Sequence, residues 1–554
     1  MRNENEFKWL TEGARNFLSS GGSYLKDGDT FEGRMREICD RFEEISGIEG
    51  FSDKFYTYCE KGWVSFASPV IANFGRDDRG LPASCNFGKV GDSVLDIFGT
   101  LQEMAVLAKH SAGTAYNFSD IRGNGEPIST GGISEGVIPW ISMFSQGILK
   151  VTQSNLRRGF FVSYLRADHP DIFEFMKIGD PSSPIQNSYT GVIFPEGFID
   201  KAKAGDEHNR EVLSKFFEYR TKNGYPYAYF EDNANSAKPQ VYKDKDMKIS
   251  SSNICTEIIE YCDDVKTFVC VISSANLNHY AAWKDTDFIF DFRIALDCLV
   301  EEYITRGSEV DGIERSVRFA KEHRAVGLGV LGFHDLLQKN RMPMESFEAR
   351  ALNQEIFKHI EDETVKASKW MAKEWGEPEI MKGTGLRSST NVAIAPTKST
   401  ARIMGQASQG IQPIVSNSME QTTANDQPYY RNSNLEIVLE SYGKNNEEVW
   451  NFIDNNNGSV AKLSFLNDKE REVFKTANEI NQSALLYLAA DRQKYIDQGQ
   501  SLNLFFHPET PASDIAKTFF LAHELGLKTL YYQYTGSAAE EFNRKQLECI
   551  SCEG

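Results

Sequence analysis

Apolar residues recur at helical spacing near the start of the chain. Phe31, Met35, Ile38, Phe42 and Ile45 follow one another at intervals of four, three, four and three, the signature of an amphipathic helix over residues 31–47. Asp29 or Thr30 supplies a cap at its start. Residues 1–60 therefore read as a helical lead-in. From Trp63 the pattern changes: short β-rich runs, among them Thr267–Ile272, Asn391–Ala395 and Thr529–Tyr534, alternate with longer helical stretches. Such alternation across residues 61–535 predicts a parallel-rich α/β architecture, a barrel in the first instance. There is no fixed-period repeat and no long low-complexity linker. Residues 536–554 are small, polar and charged, and predict a mobile tail.

Composition narrows the partners. The chain has 554 residues, with 60 Lys plus Arg against 79 Asp plus Glu, a net charge of −19. That balance gives no general attraction for DNA, RNA or an anionic membrane, so no nucleic-acid or membrane partner is expected. No run reaches the ~20 apolar residues needed to span a bilayer, and the charged start, Met1 to Glu6, lacks an apolar signal core. A cytoplasmic protein is expected. Nine cysteines in so long a chain do not make a disulfide scaffold.

Some of the cysteines sit where packing does not explain them. Cys549 and Cys552 form a Cys-x-x-Cys pair on the polar tail. A zinc site needs two further ligands, and none lies nearby. Such a pair can cycle between dithiol and disulfide, and from Gly536 the tail stretches about 43 Å at ~3.3 Å per residue. In an extended Asn253-Ile254-Cys255-Thr256-Glu257, the amide, thiol and carboxylate share one face; a solvent-facing strand edge fits equally. Cys270 stands in the run Thr267–Ile272, where a buried packing role is the plain reading. Cys85 follows the turn-rich Leu81-Pro82-Ala83-Ser84, and Cys39, Cys59, Cys262 and Cys298 are assigned to packing. An apolar run enters the hydroxyl-rich Pro396-Thr397-Lys398-Ser399-Thr400-Ala401, a candidate phosphate cradle. Gly327-Leu328-Gly329-Val330-Leu331-Gly332 matches a dinucleotide fingerprint, but a charged helical stretch precedes it. Gly132-Ile133-Ser134-Glu135-Gly136 lacks the strand that a nucleophile elbow requires.

Taken together these pieces resemble the large, catalytic subunit of class I ribonucleotide reductases. The resemblance runs from the opening helix to the last cysteine pair. It is carried by Asn253-x-Cys255-x-Glu257, Phe268-Val269-Cys270, Leu81–Cys85, Ala395-Pro396-Thr397, Thr529-Leu530-Tyr531-Tyr532 and Cys549-x-x-Cys552. It implies a ten-stranded α/β barrel with a central finger loop. Cys255 at the loop tip becomes a transient thiyl radical, Glu257 takes the 3′-hydroxyl proton, and Asn253 orients the ribose. Cys85 and Cys270 supply two reducing equivalents, and Cys549 with Cys552 renews them by thiol exchange. Substrate phosphates lie against Thr397–Ala401, with Ser68 and Ser84 opposite. Tyr531 and Tyr532 relay the radical from a separate, metal-containing small subunit, so no cofactor is held by this chain itself.

The resemblance further implies a homodimer and a thioredoxin- or glutaredoxin-like reductant. Asp92, Ser93, Arg122 and Ile128 match positions that bind dNTP or ATP effectors at the dimer interface, and 155–160 resembles the loop that passes effector identity to the substrate. The chain departs from the pattern in two respects. Only 84 residues precede Cys85, and no ATP-binding cone is visible, which predicts no on/off control by dATP. Residues 531–536 read Tyr-Tyr-Gln-Tyr-Thr-Gly where an Arg-Thr pair is commoner. A cobalamin-dependent reductase would need no second subunit, and Tyr531-Tyr532 argues against it. Retention of the five redox cysteines and Glu257 argues against a silent regulatory paralogue. No matching glycyl-radical motif is found near the end.

Overall fold

A computed structural model of the chain describes residues 7–19, 24–110, 112–151, 160–180, 182–405, 407–420 and 429–536. The helix predicted from periodicity spans Phe31–Ser46. Thr30 caps it, accepting from the Gly33 N–H at 3.1 Å, and Gly47 ends it in the left-handed region at φ 67°. Phe31, Met35, Ile38 and Phe42 form its buried stripe. With Glu12–Ser19 and Phe51–Glu60 it makes the helical lead-in.

Strand pairings trace a closed ring. Cys85–Lys89, Gly113–Asn117, Phe161–Arg166, Ser188–Phe194 and Tyr227–Phe230 run parallel in that order. A second parallel set begins with Phe268–Asn276 beside Val326–Leu331. It continues through single bridges, Leu328 to Val392 and Ile394 to Gln500, and ends where Leu504–Phe506 pairs with Gln533–Thr535. The two sets join antiparallel at both seams: Cys85–Phe87 against Phe268–Cys270, and Thr529–Leu530 against Ala228–Tyr229. Counting residues 391–395, 500–506 and 529–535 as staves, five and five give the expected ten-stranded barrel. The run at 391–395 is held by bridges alone, so it is less regular than its apolar sequence predicts. Strands buried on both faces suit a parallel sheet covered by helices, here including Val94–Lys109, Glu207–Asn223, Phe288–Gly307 and Phe347–Trp375.

The glycine run at 327–332 serves this packing rather than a dinucleotide. A Cβ on Gly327 would lie 3.0 Å from Ala393 Cβ, and one on Gly329 only 2.8 Å from the Ala393 carbonyl oxygen. Gly132–Gly136 belongs to the Asn124–Pro127/Ile133–Glu135 hairpin rather than to a nucleophile elbow.

Residues 251–260 form no strand, yet every one of them is buried. They make the finger loop, lodged inside the ring against both halves. Tyr164, on the first half, donates to the Asn253 carbonyl at 2.8 Å. Its ring can cross the neighbouring strand because residue 191 is glycine; a Cβ there would fall 2.2 Å from the Tyr164 ring.

Candidate active site

The loop tip is a tight reversal rather than the extended segment its alternation suggests. The Asn253 N–H donates to the Ile258 carbonyl at 3.2 Å, and the Ile258 N–H returns to Asn253 Oδ1 at 3.0 Å. Thr256 turns the corner at φ 71°, in the left-handed region. The reversal brings together what alternation would also have grouped: Asn253 Nδ2 donates to Glu257 Oε1 at 3.0 Å. Cys255 sits at the apex, 2% exposed.

Ser501, from the opposite half-barrel, locks this apex. Its hydroxyl lies 2.6 Å from the Cys255 carbonyl oxygen and 3.0 Å from Glu257 Oε2. One hydroxyl carries one hydrogen. A protonated Glu257 can donate to Ser501, which then donates on to Cys255; an ionised Glu257 competes for that single hydrogen. Gly499 N–H donates to the Glu257 carbonyl at 2.8 Å. Burial pushes the Glu257 carboxyl up to about 7, against the bonds from its own backbone, Asn253 and Ser501, which pull it down.

Burial also pushes the Cys255 thiol well up, and negative charge on Glu257 or Cys85 acts in the same direction. The thiol is therefore held as S–H. Tyr531 donates to its sulfur at 3.5 Å, and burial keeps that phenol protonated as well.

The β run 529–534 is broken at the tyrosine pair. Thr529–Leu530 and Gln533–Thr535 are strands, and Tyr531 and Tyr532 between them are not. Adjacent side chains of a regular strand point apart. The break lets the two rings meet at 4.3 Å between centroids, inclined at 55°. Tyr227 lies 4.8 Å from Tyr531 and 5.1 Å from Tyr532, and Tyr189 lies 5.8 Å from Tyr532.

Cys85 is the first residue of a barrel strand, not part of a turn, and it faces Cys270 directly across the antiparallel seam. Opposed residues in such a pair lie about 4.5–5.5 Å apart at Cα, inside the disulfide range of about 4.4–6.8 Å. Both are buried, 3% and 0% exposed. Burial raises the Cys270 thiol well above its ordinary range. Cys39, Cys59, Cys262 and Cys298 are buried, as assigned.

The candidate phosphate turn is also internal. Thr397 precedes the short helix Lys398–Ile403 at φ 51°, and its Oγ1 accepts from the Gly410 N–H at 2.8 Å. Pro396 through Ala401 are all buried. This helix packs against the strand Val64–Phe66, two residues before Ser68, whose hydroxyl lies 3.1 Å from the Tyr24 hydroxyl. Ser84 is buried beside Cys85, and its carbonyl accepts from Gly113 at 2.8 Å.

The four expected effector positions gather at one surface. The Arg122 guanidinium grips Asp92 at 2.6–2.7 Å, and its backbone N–H reaches the same carboxylate at 3.1 Å. Ser93 caps the helix Val94–Lys109. Ile128, 38% exposed, follows the hairpin strand that ends at Pro127, whose carbonyl accepts from Arg122 at 2.7 Å. Of the loop 155–160 only Phe160 is described; its ring stands 4.4 Å from Tyr189. Cys549 and Cys552 lie outside the described residues.

Sequence reading missed Ser501, Tyr164 and Gly499. The short alternation Ser501-Leu502-Asn503-Leu504 hints at a strand, but nothing local marks Ser501 as the lock on a loop some 240 positions away.

The family model for the ribonucleotide reductase barrel domain matches residues 83–209, 206–383 and 377–533. A putative ribonucleoside-diphosphate reductase large subunit of Frog virus 3 is 30% identical over 536 residues, covering 92% of this chain and 93% of that protein. The ribonucleoside-diphosphate reductase large subunit of Invertebrate iridescent virus 3 is 29% identical, covering 96% of each. Among solved structures, the class Id ribonucleotide reductase alpha subunit of Actinobacillus ureae superposes with a TM-score of 0.90 at 42% identity, over 96% of this chain and 98% of that one. A ten-stranded ring threaded by a buried thiol loop, and matches spanning nearly the whole length, lead to one conclusion: the chain belongs to the ribonucleotide reductase family, as a large subunit of class I.

Proposed function

We propose that this chain reduces ribonucleoside diphosphates to 2′-deoxyribonucleotides by thiyl-radical chemistry. The observation that carries the reading is the apex at Cys255: a buried S–H with a phenol 3.5 Å from its sulfur, and a carboxyl raised to about 7 two residues on. A separate metal-containing small subunit supplies the oxidising equivalent. Tyr532 and Tyr531 pass it on, and Tyr531 takes the hydrogen atom of the Cys255 thiol. The sulfur radical removes the 3′-hydrogen of the ribose while Glu257 accepts the 3′-hydroxyl proton. The 2′-hydroxyl leaves as water, taking a proton from the facing thiol pair. Cys85 and Cys270 give up two electrons and their second proton to C2′ and close a disulfide, Glu257 returns its proton to the 3′-oxygen, and Cys255 returns the hydrogen atom to C3′. Asn253 holds Glu257 and orients the sugar, and the Thr397–Ala401 turn with Ser68 and Ser84 receives the phosphates.

The partners follow. Cys549 and Cys552 carry electrons inward from a thioredoxin- or glutaredoxin-like protein. dNTP or ATP effectors bind at Asp92, Ser93, Arg122 and Ile128. Val94, Leu95 and Phe98, on the helix that Ser93 caps, are 62%, 86% and 51% exposed, which suits a homodimer face beside that site. No described helix is long and apolar enough to cross a membrane, and we place the enzyme in the cytoplasm.

The deciding experiment is a nucleotide-reduction assay with and without the small subunit. Turnover that requires that subunit supports the proposal; turnover from this chain with cobalamin alone overturns it.

A further inference from the structure

Lys398 stands in two places at once. Its backbone opens the helix directly after Thr397, so it belongs to the candidate phosphate turn. Its side chain, 6% exposed, carries the ammonium 5.2 Å over the centroid of the Tyr532 ring. The same side chain lines a cavity with Ala401, Gln412, Asn503 and Phe505. Asn503 in turn accepts from the Tyr532 backbone N–H at 3.3 Å. One residue thus joins the turn, the cavity and the relay ring. Its charge also reaches the reacting sulfur, since it draws the Cys255 thiol down against burial.

An ammonium over an aromatic face is held by the ring quadrupole, a weaker attraction than that of a full anion at the same distance. Lysine's four-carbon stem lets its point charge swing between neighbouring partners. A phosphate arriving at the turn therefore offers this cation a stronger attraction than the ring does.

We propose that Lys398 is a positioning residue shared by substrate and relay: binding of a nucleoside diphosphate withdraws its ammonium from the face of Tyr532, so that the relay ring senses an occupied site. The inference rests on assigning Thr397–Ala401 to the substrate phosphates. It gives the relay a substrate signal carried by one side chain, without movement of the barrel.

The test places 3-fluorotyrosine at position 532 of the full chain and follows its fluorine NMR resonance while CDP is added. Calorimetry on the same samples reports CDP binding. The resonance should shift on CDP binding in the otherwise unaltered chain. Most of that shift should vanish in Lys398→Met and persist in Lys398→Arg, which keeps the cation. In the assay with small subunit, KM for CDP should rise about tenfold in Lys398→Met, the loss expected for one charge-assisted contact. Inorganic pyrophosphate should reproduce part of the shift, because the phosphates alone draw the cation away. CDP binding with no shift, or with an equal shift in Lys398→Met, overturns the coupling while leaving the phosphate turn standing. Failure of CDP to bind the unaltered chain overturns both.

Discussion

Glu257 is a carboxyl placed where charge is costly, and its two protonation states have opposite uses. As a base it must be ionised. With its pKa at about 7, kcat/KM should rise with pH through about 7 and then level off. Ser501 lowers that pKa by hydrogen bonding. Ser501→Ala should therefore move the rising limb up by roughly 0.5–1 pH unit, from about 1 kcal/mol per hydrogen bond; an unmoved limb would detach Ser501 from the carboxyl. Folding is affected with the other sign. The folded-state pKa exceeds the ordinary glutamate value of 4.5, so the folded chain binds the proton more tightly than the unfolded one. Stability from this group is full below about 4.5 and is lost as pH rises through about 7. Glu257→Gln cannot ionise. It should be inactive, yet more stable than the parent at pH 8 by roughly 1–3 kcal/mol and little changed at pH 5, as denaturant melts at the two pH values will read. Cys255→Ser should abolish turnover at every pH, because its O–H does not replace the thiol as hydrogen-atom donor to Tyr531.

At the scale of elements, the sequence pattern was most legible where one face of a segment decides its structure. The helix Phe31–Ser46 is set by its own stripe and its own cap. Alternation of β runs with helices likewise announced the barrel. Two short segments read less well, for a common reason. The reversal at 253–258 depends on Ser501, Gly499 and Tyr164, far away in sequence. The break at Tyr531–Tyr532 depends on pairing with residues 502–504: Leu502 accepts from Tyr531, Leu504 donates to Tyr532, and Asn503 accepts from Tyr532. Local alternation sees neither. Cys270 is a similar case, since a thiol in a β run looks like packing until Cys85 appears across the seam. Family motifs supplied those roles, whereas Ser501 belongs to none of the motifs used. Gly499 makes the dependence testable. A Cβ there would lie 2.8 Å from Ile259 Cδ1 and 3.0 Å from the Thr256 carbonyl oxygen. Gly499→Ala should push the loop tip aside, costing about 1–3 kcal/mol of stability. Turnover should fall at least about tenfold, since reacting atoms a fraction of an ångström out of place lose near-attack geometry. Normal activity with an unchanged circular dichroism spectrum would show that the tip does not lean on residue 499.

The whole molecule isolates its chemistry from solvent and then has to connect it again. Two parallel half-barrels meet antiparallel, the finger loop fills the space between them, and the Cys85–Cys270 pair lies in one seam, 3% and 0% exposed. Burial protects a radical from water and from stray thiols, but it also bars a folded reductant from the disulfide that the proposed chemistry leaves behind. Thiol exchange requires a sulfur to reach a sulfur. Only a thin segment of chain can do so, and Cys549 and Cys552 are suitably placed in sequence. Replacing both by serine should therefore separate a single reduction from sustained turnover. Pre-reduced protein with its small subunit should still form about one product per active site, because Cys85 and Cys270 already hold the electrons. Steady turnover driven by a thioredoxin-like protein should fall to background. A small dithiol such as dithiothreitol, able to diffuse into the barrel, should restore part of it. Rapid-quench product counts beside steady-state rates will show the division. Sustained turnover with the protein reductant in the double variant would mean that electrons reach the seam by another path.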